Sequence, residues 1–368
     1  MKFSQFSQQG KRSNNEDSLG MSAALLTVCD GMGGHNYGER ASAFVVEAML
    51  ESFKNPEPIS KMEIQQKLNN VQIDLNQLLE KEPELEKMGT TFTGIFITPD
   101  VWYAAHIGDS RIYLFRPSEQ KLWHTWDHSL VGELMRTKEI TVEAGRFHPM
   151  SNRISKAIIA NKERKTTNAS IVKIDQLKQG DILLLCSDGV VEASGEWDLV
   201  RLFADESISF EQKCEKLRQK CEETSKDNNT AIIAEITEED AFNYGNNDEL
   251  DWTSFDEVKT DYESYMKDFE EDASAEDADE ENAGQEATVE EDDDDVKPTK
   301  LLGLQKWIII ISIAIIVASL SMFILFKYGK LSNHKKDNQT DKTDTIEQIQ
   351  KTNFQKDTIN IIEQSRKK

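Results

Sequence analysis

Over its first 237 residues the chain alternates short, wholly apolar runs with amphipathic stretches. Leu25-Leu26-Thr27-Val28-Cys29 leads into Asp30-Gly31-Met32-Gly33-Gly34-His35, and Trp102 to Ile107 leads into Gly108-Asp109-Ser110-Arg111. Ile182 to Cys186 leads into Ser187-Asp188-Gly189, while Asp227-Asn228-Asn229-Thr230 opens the run Ala231 to Ile236. Apolar runs of this length bounded by turn residues predict core strands. Ile64, Leu68, Val71, Leu75 and Leu78 recur at helical steps and predict a core-facing helix over 59–79. Further helices are predicted over 38–53 and 210–223, and a hairpin over 102–115 turning at Gly108-Asp109-Ser110. The order of elements predicts a strand-rich α+β domain rather than repeated βαβ units, and no internal repeat is present.

Charge divides the rest of the chain. The net charge of -24 lies wholly in one segment, 238–296, which holds 26 Asp or Glu against 2 Lys. No basic surface is left to suggest a nucleic-acid partner. The segment ends in Glu290-Glu291-Asp292-Asp293-Asp294-Asp295, so 238–306 is expected to be an acidic, mostly disordered linker. Within it Trp252, Phe255, Val258, Tyr262, Tyr265 and Phe269 fall at helical steps. This stripe (252–269) is either chance spacing or an acidic amphipathic helix that docks on a partner or back on the preceding domain. Residues 307–326 carry no charge, and a helix of that length rises about 30 Å, the thickness of a bilayer core. Lys306 and Trp307 before it, and Lys327 and Tyr328 after it, suit the interfaces. The expected organisation is therefore a folded domain over 1–237, the linker, one transmembrane helix over 307–326 and a short polar, basic tail over 327–368. Cys29, Cys186, Cys214 and Cys221 lack CxxC spacing and are expected to be reduced, structural thiols.

Aspartates delivered from several strand ends repel one another unless a cation holds them, and oxygen-only clusters suit magnesium or manganese. Seven short motifs then acquire a meaning together. They are Arg12-Ser13-Asn14-Asn15-Glu16-Asp17, Asp30-Gly31-Met32-Gly33-Gly34-His35, Met88-Gly89-Thr90-Thr91, Gly108-Asp109-Ser110-Arg111, Asp127-His128-Ser129, Ser187-Asp188-Gly189 and Asp227-Asn228. In this order they resemble the metal-dependent serine/threonine protein phosphatases, the PPM or type 2C family, over about residues 5–237. The resemblance implies an α+β fold of two antiparallel β-sheets sandwiched between helix layers, with the metals at one end between the sheets. It implies two Mn2+ or Mg2+ ions and, at Asp109, a ligand of a third, weaker one found in some members. Asp30 would bridge the two metals and the Gly31 carbonyl would hold one. Asp188 and Asp227 would bind the first, Glu16 would serve the second, and Asp17 would support that shell. Arg12 matches the arginine that grips substrate phosphate, a planar fork suited to two parallel contacts. Where many eukaryotic members have histidine after the Asp-Gly pair, this chain has Met32. His35 follows three residues later and either protonates the leaving alkoxide or shapes the loop. His128 and His148, in the region resembling the flap (127–156), are expected to pack or to shape substrate. Ile159-Ala160 stands where the family often has a glycine.

The expected activity is hydrolysis of phosphoserine and phosphothreonine in proteins, by water activated between two metals and without a phosphoenzyme. Two alternatives remain: a pseudophosphatase acting as a phosphoprotein-binding scaffold, which a complete ligand set disfavours, and a specialised phosphatase of an anti-sigma-antagonist-type switch protein. Flanking charge, three Lys before the apolar run and five after it, weakly places the tail in the cytoplasm. The lack of a signal peptide at Met1-Lys2-Phe3-Ser4-Gln5 and the unpaired thiols argue the other way. The expectation is a single-pass membrane protein with its catalytic domain cytoplasmic.

Overall fold

Both faces of the apolar runs are buried, which is why they read as unbroken rather than alternating. The computed structural model describes residues 1–33 and 37–285. His35, the predicted span 307–326 and the tail 327–368 lie outside the described residues. The chain opens with β1 (Lys2–Gln8), β2 (Asp17–Met21), β3 (Leu25–Met32), α1 (Gly38–Ser52) and α2 (Lys61–Leu78). It continues through β4 (Gly89–Thr90), β5 (Phe92–Phe96), β6 (Trp102–Ile107), β7 (Arg111–Arg116) and β8 (Lys121–His124). Short helices α3 (Leu130–Arg136) and α4 (Val142–Arg146) precede β9 (Ile158–Ile159), β10 (Ser170–Ile174), β11 (Gln176–Leu177) and β12 (Ile182–Cys186). Then come α5 (Asp188–Ala193), α6 (Glu196–Ala204), α7 (Phe210–Thr224) and β13 (Asn229–Glu235). The described chain closes with β14 (Phe242–Asn243), β15 (Thr253–Ser254) and α8 (Phe255–Gln285).

Two antiparallel sheets face one another. The first runs β1-β13-β12-β7-β8-β15; the second runs β10-β6-β5-β3-β4-β9, with β2 paired to β3. Period-two alternation splits each strand between two cores. Leu183 and Leu185 of β12, Ile112 and Leu114 of β7, and Ile232 and Ala234 of β13 meet Leu26, Val28, Ile95 and Ala104 between the sheets. The alternate residues Ile182, Leu184, Tyr113, Phe115, Ala231 and Ile233 face α5, α6 and α7. Leu25, Cys29, Phe92 and Ala105 face α1 and α2 on the other outer surface. The result is the expected helix–sheet–sheet–helix layering. Helix α2 starts at a capping box, Ser60 with Glu63, within the stretch its apolar spacing predicts. All four cysteines are free and buried.

Two expectations need correction. Residues 102–115 do not form a hairpin: β6 pairs with β5 and β10, whereas β7 pairs with β12 and β8. The Gly108 turn (φ +105°) carries the chain from one sheet to the other. A turn signal between two apolar runs does not say whether they share hydrogen bonds. The folded region also does not stop at 237. Leu177 pairs with Phe242, Thr253 with Leu122, and Phe255 and Val258 are buried among the residues facing α5–α7. Trp252 lies under Arg116 and Lys121, at 4.9 and 4.4 Å from its ring centre. Acidic composition hid these few apolar anchors. Among the described residues no helix is long and apolar enough to cross a membrane.

Candidate metal centre

The ends of the two sheets bring the aspartates together. Asp30 lies near the end of β3, and register places Asp17 of β2 directly opposite it. Asp30 is fixed through its backbone: its N–H donates to Thr91 Oγ1 (2.9 Å), and its carbonyl accepts from the Thr91 N–H and the Thr90 hydroxyl (2.8 Å each). Thr91 Oγ1 in turn meets Ser110 Oγ at 2.7 Å, tying β3 to the turn that carries Asp109. From the first sheet, Asp188 begins α5 immediately beyond β12, and Asp227 precedes β13. Ser187 Oγ donates to Asp17 Oδ2 (2.7 Å) and accepts from the Thr230 N–H (3.0 Å), joining the two sheets beneath the cluster.

Asn228 secures the loop that carries Arg12 and Glu16. Its amide donates to the carbonyls of Gln9 and Asn14 (2.8 Å each), and its Oδ1 accepts from the Glu16 N–H (2.9 Å). The Glu16 carbonyl accepts from Gly31 N–H at 3.1 Å. A Cβ at Gly31 would come within 2.3 Å of the Gly38 carbonyl oxygen, so only glycine lets these segments close. Arg12, exposed at the cleft mouth, donates to Asp227 Oδ2 at 2.5 Å.

The electrostatics are those of a site built for positive charge. Burial first, then the charges of Asp17, Asp188 and Asp109, hold the Asp30 carboxyl well above the ordinary range. Asp109 is likewise raised, by burial and then by Asp188 and Asp127. Burial and Asp227 push Asp188 up to about 7. Burial pushes Asp17 up to about 6, against the hydrogen bond from Ser187. Glu16 is raised by burial and by Glu39. Asp17 Oδ1 and Asp188 Oδ1 are buried without a hydrogen-bond partner. Among the described residues no three His, Cys, Asp or Glu side chains are grouped closely enough to hold a metal ion as they stand. The fit to hard cations therefore rests on the orphaned oxygens and on carboxyls that cannot all ionise side by side without a countercharge.

The cleft above the cluster has a volume of about 350 Å³ and is lined by Arg12, Asp109, Arg111, Asp127, Arg146, Asn152, Asp188, Lys226 and Asp227, among others. Arg111 and Asp127 form a buried two-bond pair (2.7 and 2.8 Å) in its wall. Asp30, Asp17, Asp109, Asp188 and Asp227 thus converge, with Arg12 at the mouth and Gly31 behind. Glu16 comes in from the side, its carboxylate against Gly38. His35 lies outside the described residues. His128 stacks on His106 (4.3 Å, 2° between planes), accepts from Gly108 N–H (3.1 Å) and meets Ser170 Oγ at 2.8 Å. An acceptor Nδ1 puts its proton on Nε2, and burial lowers it to about 3, so it braces the turn as a neutral ring. His148 accepts from the Met150 N–H at 3.1 Å. Ala160 is fully buried and bonded to Met88 and Lys87. Sequence reasoning gave no role to Ser187, Asn228, Arg111 or Arg146. The first two stand beside predicted ligands, which was the signal available for them.

Comparison with known proteins agrees with this geometry. The family model described as Protein phosphatase 2C matches residues 7–230. The serine/threonine protein phosphatase PstP of Mycobacterium tuberculosis is 32% identical over 237 residues, covering 62% of this chain and 43% of that protein. The chain thus spans less than half the length of this relative. The crystal structure of Stp1 from Staphylococcus aureus superposes with a TM-score of 0.55 at 30% identity, covering 64% of this chain and 94% of that one. The catalytic domain of PstP in complex with two manganese ions superposes with a TM-score of 0.54 at 28% identity, covering 64% and 98%. The match over more than half the chain, on the residues that build the cluster, makes this chain a member of the Protein phosphatase 2C family.

Proposed function

We propose that this chain hydrolyses phosphoserine and phosphothreonine in proteins, as a Mn2+- or Mg2+-dependent enzyme tethered to a membrane. The observation that carries the activity is the convergence of five aspartates from both sheets beneath an exposed arginine at the mouth of one cleft. Asp30, Asp188, Asp227 and the Gly31 carbonyl are the groups to hold two cations, with Glu16 serving the second, Asp17 supporting it and Asp109 offered to a third. When bound, such cations supply a nucleophilic water at neutral pH and neutralise charge on the phosphoryl oxygens. Asp227 holds one arm of Arg12, leaving its remaining N–H donors for phosphate oxygens. The Asn228 contacts keep that loop from drifting, so the arginine needs little ordering on binding. Arg111 is buried and committed to Asp127 and Tyr113 through its Nε and both terminal nitrogens, and serves as wall rather than phosphate ligand. His35 is the candidate proton donor to the leaving group.

The test uses the purified full chain in detergent and a phosphothreonine peptide, with Mn2+ and with chelator. Metal-dependent phosphate release that Asp30→Asn and Asp188→Asn both lower by more than about a hundredfold supports the reading. Metal binding without release would turn it toward a phosphoprotein-binding module.

The uncharged run 307–326, bounded by Lys306-Trp307 and Lys327-Tyr328, supports a single span. The four free, buried thiols favour a reducing compartment for the catalytic domain, hence the cytoplasm with the tail outside, against the weak bias of the flanking lysines. Retention in the membrane after alkaline carbonate, with the tail cut by protease added to intact cells, is the expected result. Soluble recovery, or a protected tail, would reject the anchor or its orientation respectively.

A further inference from the structure

Helix α4 is a single turn of five residues, too short to hold itself, yet it supplies Gly145 and Arg146 to the cleft wall. Beyond its Thr141 cap and its packing of Gly145 against Met135 of α3, its supports are on α8, in the acidic segment that follows the seven motifs. At its N-terminal end, Asp261 Oδ2 accepts from the Val142 N–H at 2.8 Å. Just beyond its C-terminal end, Tyr265 stacks on Phe147 with ring centres 5.9 Å apart and planes 21° apart, and Phe269 stacks on Tyr265 at 6.3 Å. Phe147 in turn lies under the Arg146 guanidinium, 4.1 Å from the ring centre. Arg146 is further aimed by Glu143 and by the Glu192 carbonyl (2.7 Å). The base of α8 is anchored: β15 extends the first sheet, and Phe255 and Val258 are buried in the core. A rooted helix therefore grips both ends of α4.

We propose that Asp261 and Tyr265 are positioning residues for the peptide substrate, acting through α4 to fix Arg146 at the cleft wall. The inference rests on the phosphatase reading above. Neither residue touches the carboxylate cluster, so their loss acts on recognition of the chain around the phosphoresidue and not on the chemistry at phosphorus. Arg146 is already paired with Glu143 and the Glu192 carbonyl, and its remaining terminal N–H donors suit an acidic side chain flanking the phosphoresidue.

The experiment compares the detergent-solubilised full chain with Asp261→Ala, Tyr265→Ala and Tyr265→Phe. Each is assayed on a phosphothreonine peptide with flanking acidic residues and on p-nitrophenyl phosphate, with amide hydrogen exchange followed in parallel. The two alanine variants are expected to raise KM for the peptide about tenfold, with kcat and turnover of the aryl phosphate within about twofold. Tyr265→Phe keeps the stack and should match wild type. Amides 142–147 should exchange faster in the alanine variants while 255–258 stay unchanged. Equal loss on both substrates, or unchanged exchange at 142–147, overturns the inference and leaves the phosphatase reading standing. A wild-type chain that releases phosphate from neither substrate removes the phosphatase reading, and this inference with it.

Discussion

At the scale of single residues, Ser187 shows how much of the centre depends on groups that touch no substrate. It is fully buried, donates to Asp17 and accepts from the Thr230 N–H, and so ties the Asp17 carboxylate of the second sheet to the backbone of the first. Ser187→Ala should raise the Mn2+ concentration for half-maximal activity about 10- to 100-fold, as read by metal titration. The aspartates themselves make stability depend on pH. Asp17 and Asp188 sit at about 6 and about 7, and Asp30 and Asp109 are raised as well, above an unfolded value of about 4. In chelated chain the folded state therefore binds more protons than the unfolded one. That stability is present in full below about pH 4 and is lost as pH rises through 6 to 7. Tm measured with chelator should thus fall between pH 5.5 and pH 8, and added Mn2+ should raise Tm more at pH 8 than at pH 5.5. A Tm that climbs with pH in chelator would contradict the coupling.

At the scale of elements, the segment after 237 is the informative one. Its residues are mostly acidic, yet Trp252, Phe255 and Val258 seat it against the first sheet. Phe255→Ala should cost about 3–5 kcal/mol in urea unfolding, the usual penalty for emptying a buried aromatic site. A chain cut at 240 would lose this support together with the β14 and β15 pairings. Close by, Arg116 and Asp181 form an ion pair buried almost completely, at 2.7 Å. Burial still raises Asp181 despite its arginine, so desolvation outweighs attraction there. Asp181→Ala, which strands the guanidinium, should destabilise by about 3–5 kcal/mol, whereas replacing both partners with apolar residues should cost far less.

At the scale of the whole molecule, the two sheets act as a frame whose one end gathers charge. Each sheet brings carboxylates that its own hydrogen bonds could not hold together: Asp17 and Asp30 from the second, Asp188 and Asp227 from the first. The Gly108 crossover sets Asp109 between them. Apolar packing of Leu183, Leu185, Val28 and Ala104 between the sheets supplies the force that keeps the repelling groups near one another. Stability is thus spent in one place for binding in another, and cation binding should stabilise the fold at neutral pH by an amount set by free cation concentration relative to its affinity.

The sequence by itself determined the core strands, helices α1, α2 and α7 and the residues of the candidate centre, while it left α8 undecided. Those depend on local periodicity and on short motifs whose spacing survives unfolding. The positions of Asp30, Asp109, Asp188 and Asp227 at run ends were legible because apolar runs and turns are local signals. Tertiary structure alone decided which strands pair, and so turned the predicted 102–115 hairpin into a crossover between sheets. It alone showed Ser187 and Asn228 bridging segments distant in sequence, and a single turn, α4, held from α8 across more than a hundred residues of chain. A hydrogen bond between distant segments leaves no periodicity in either one, whereas a buried strand must carry its pattern in its own residues.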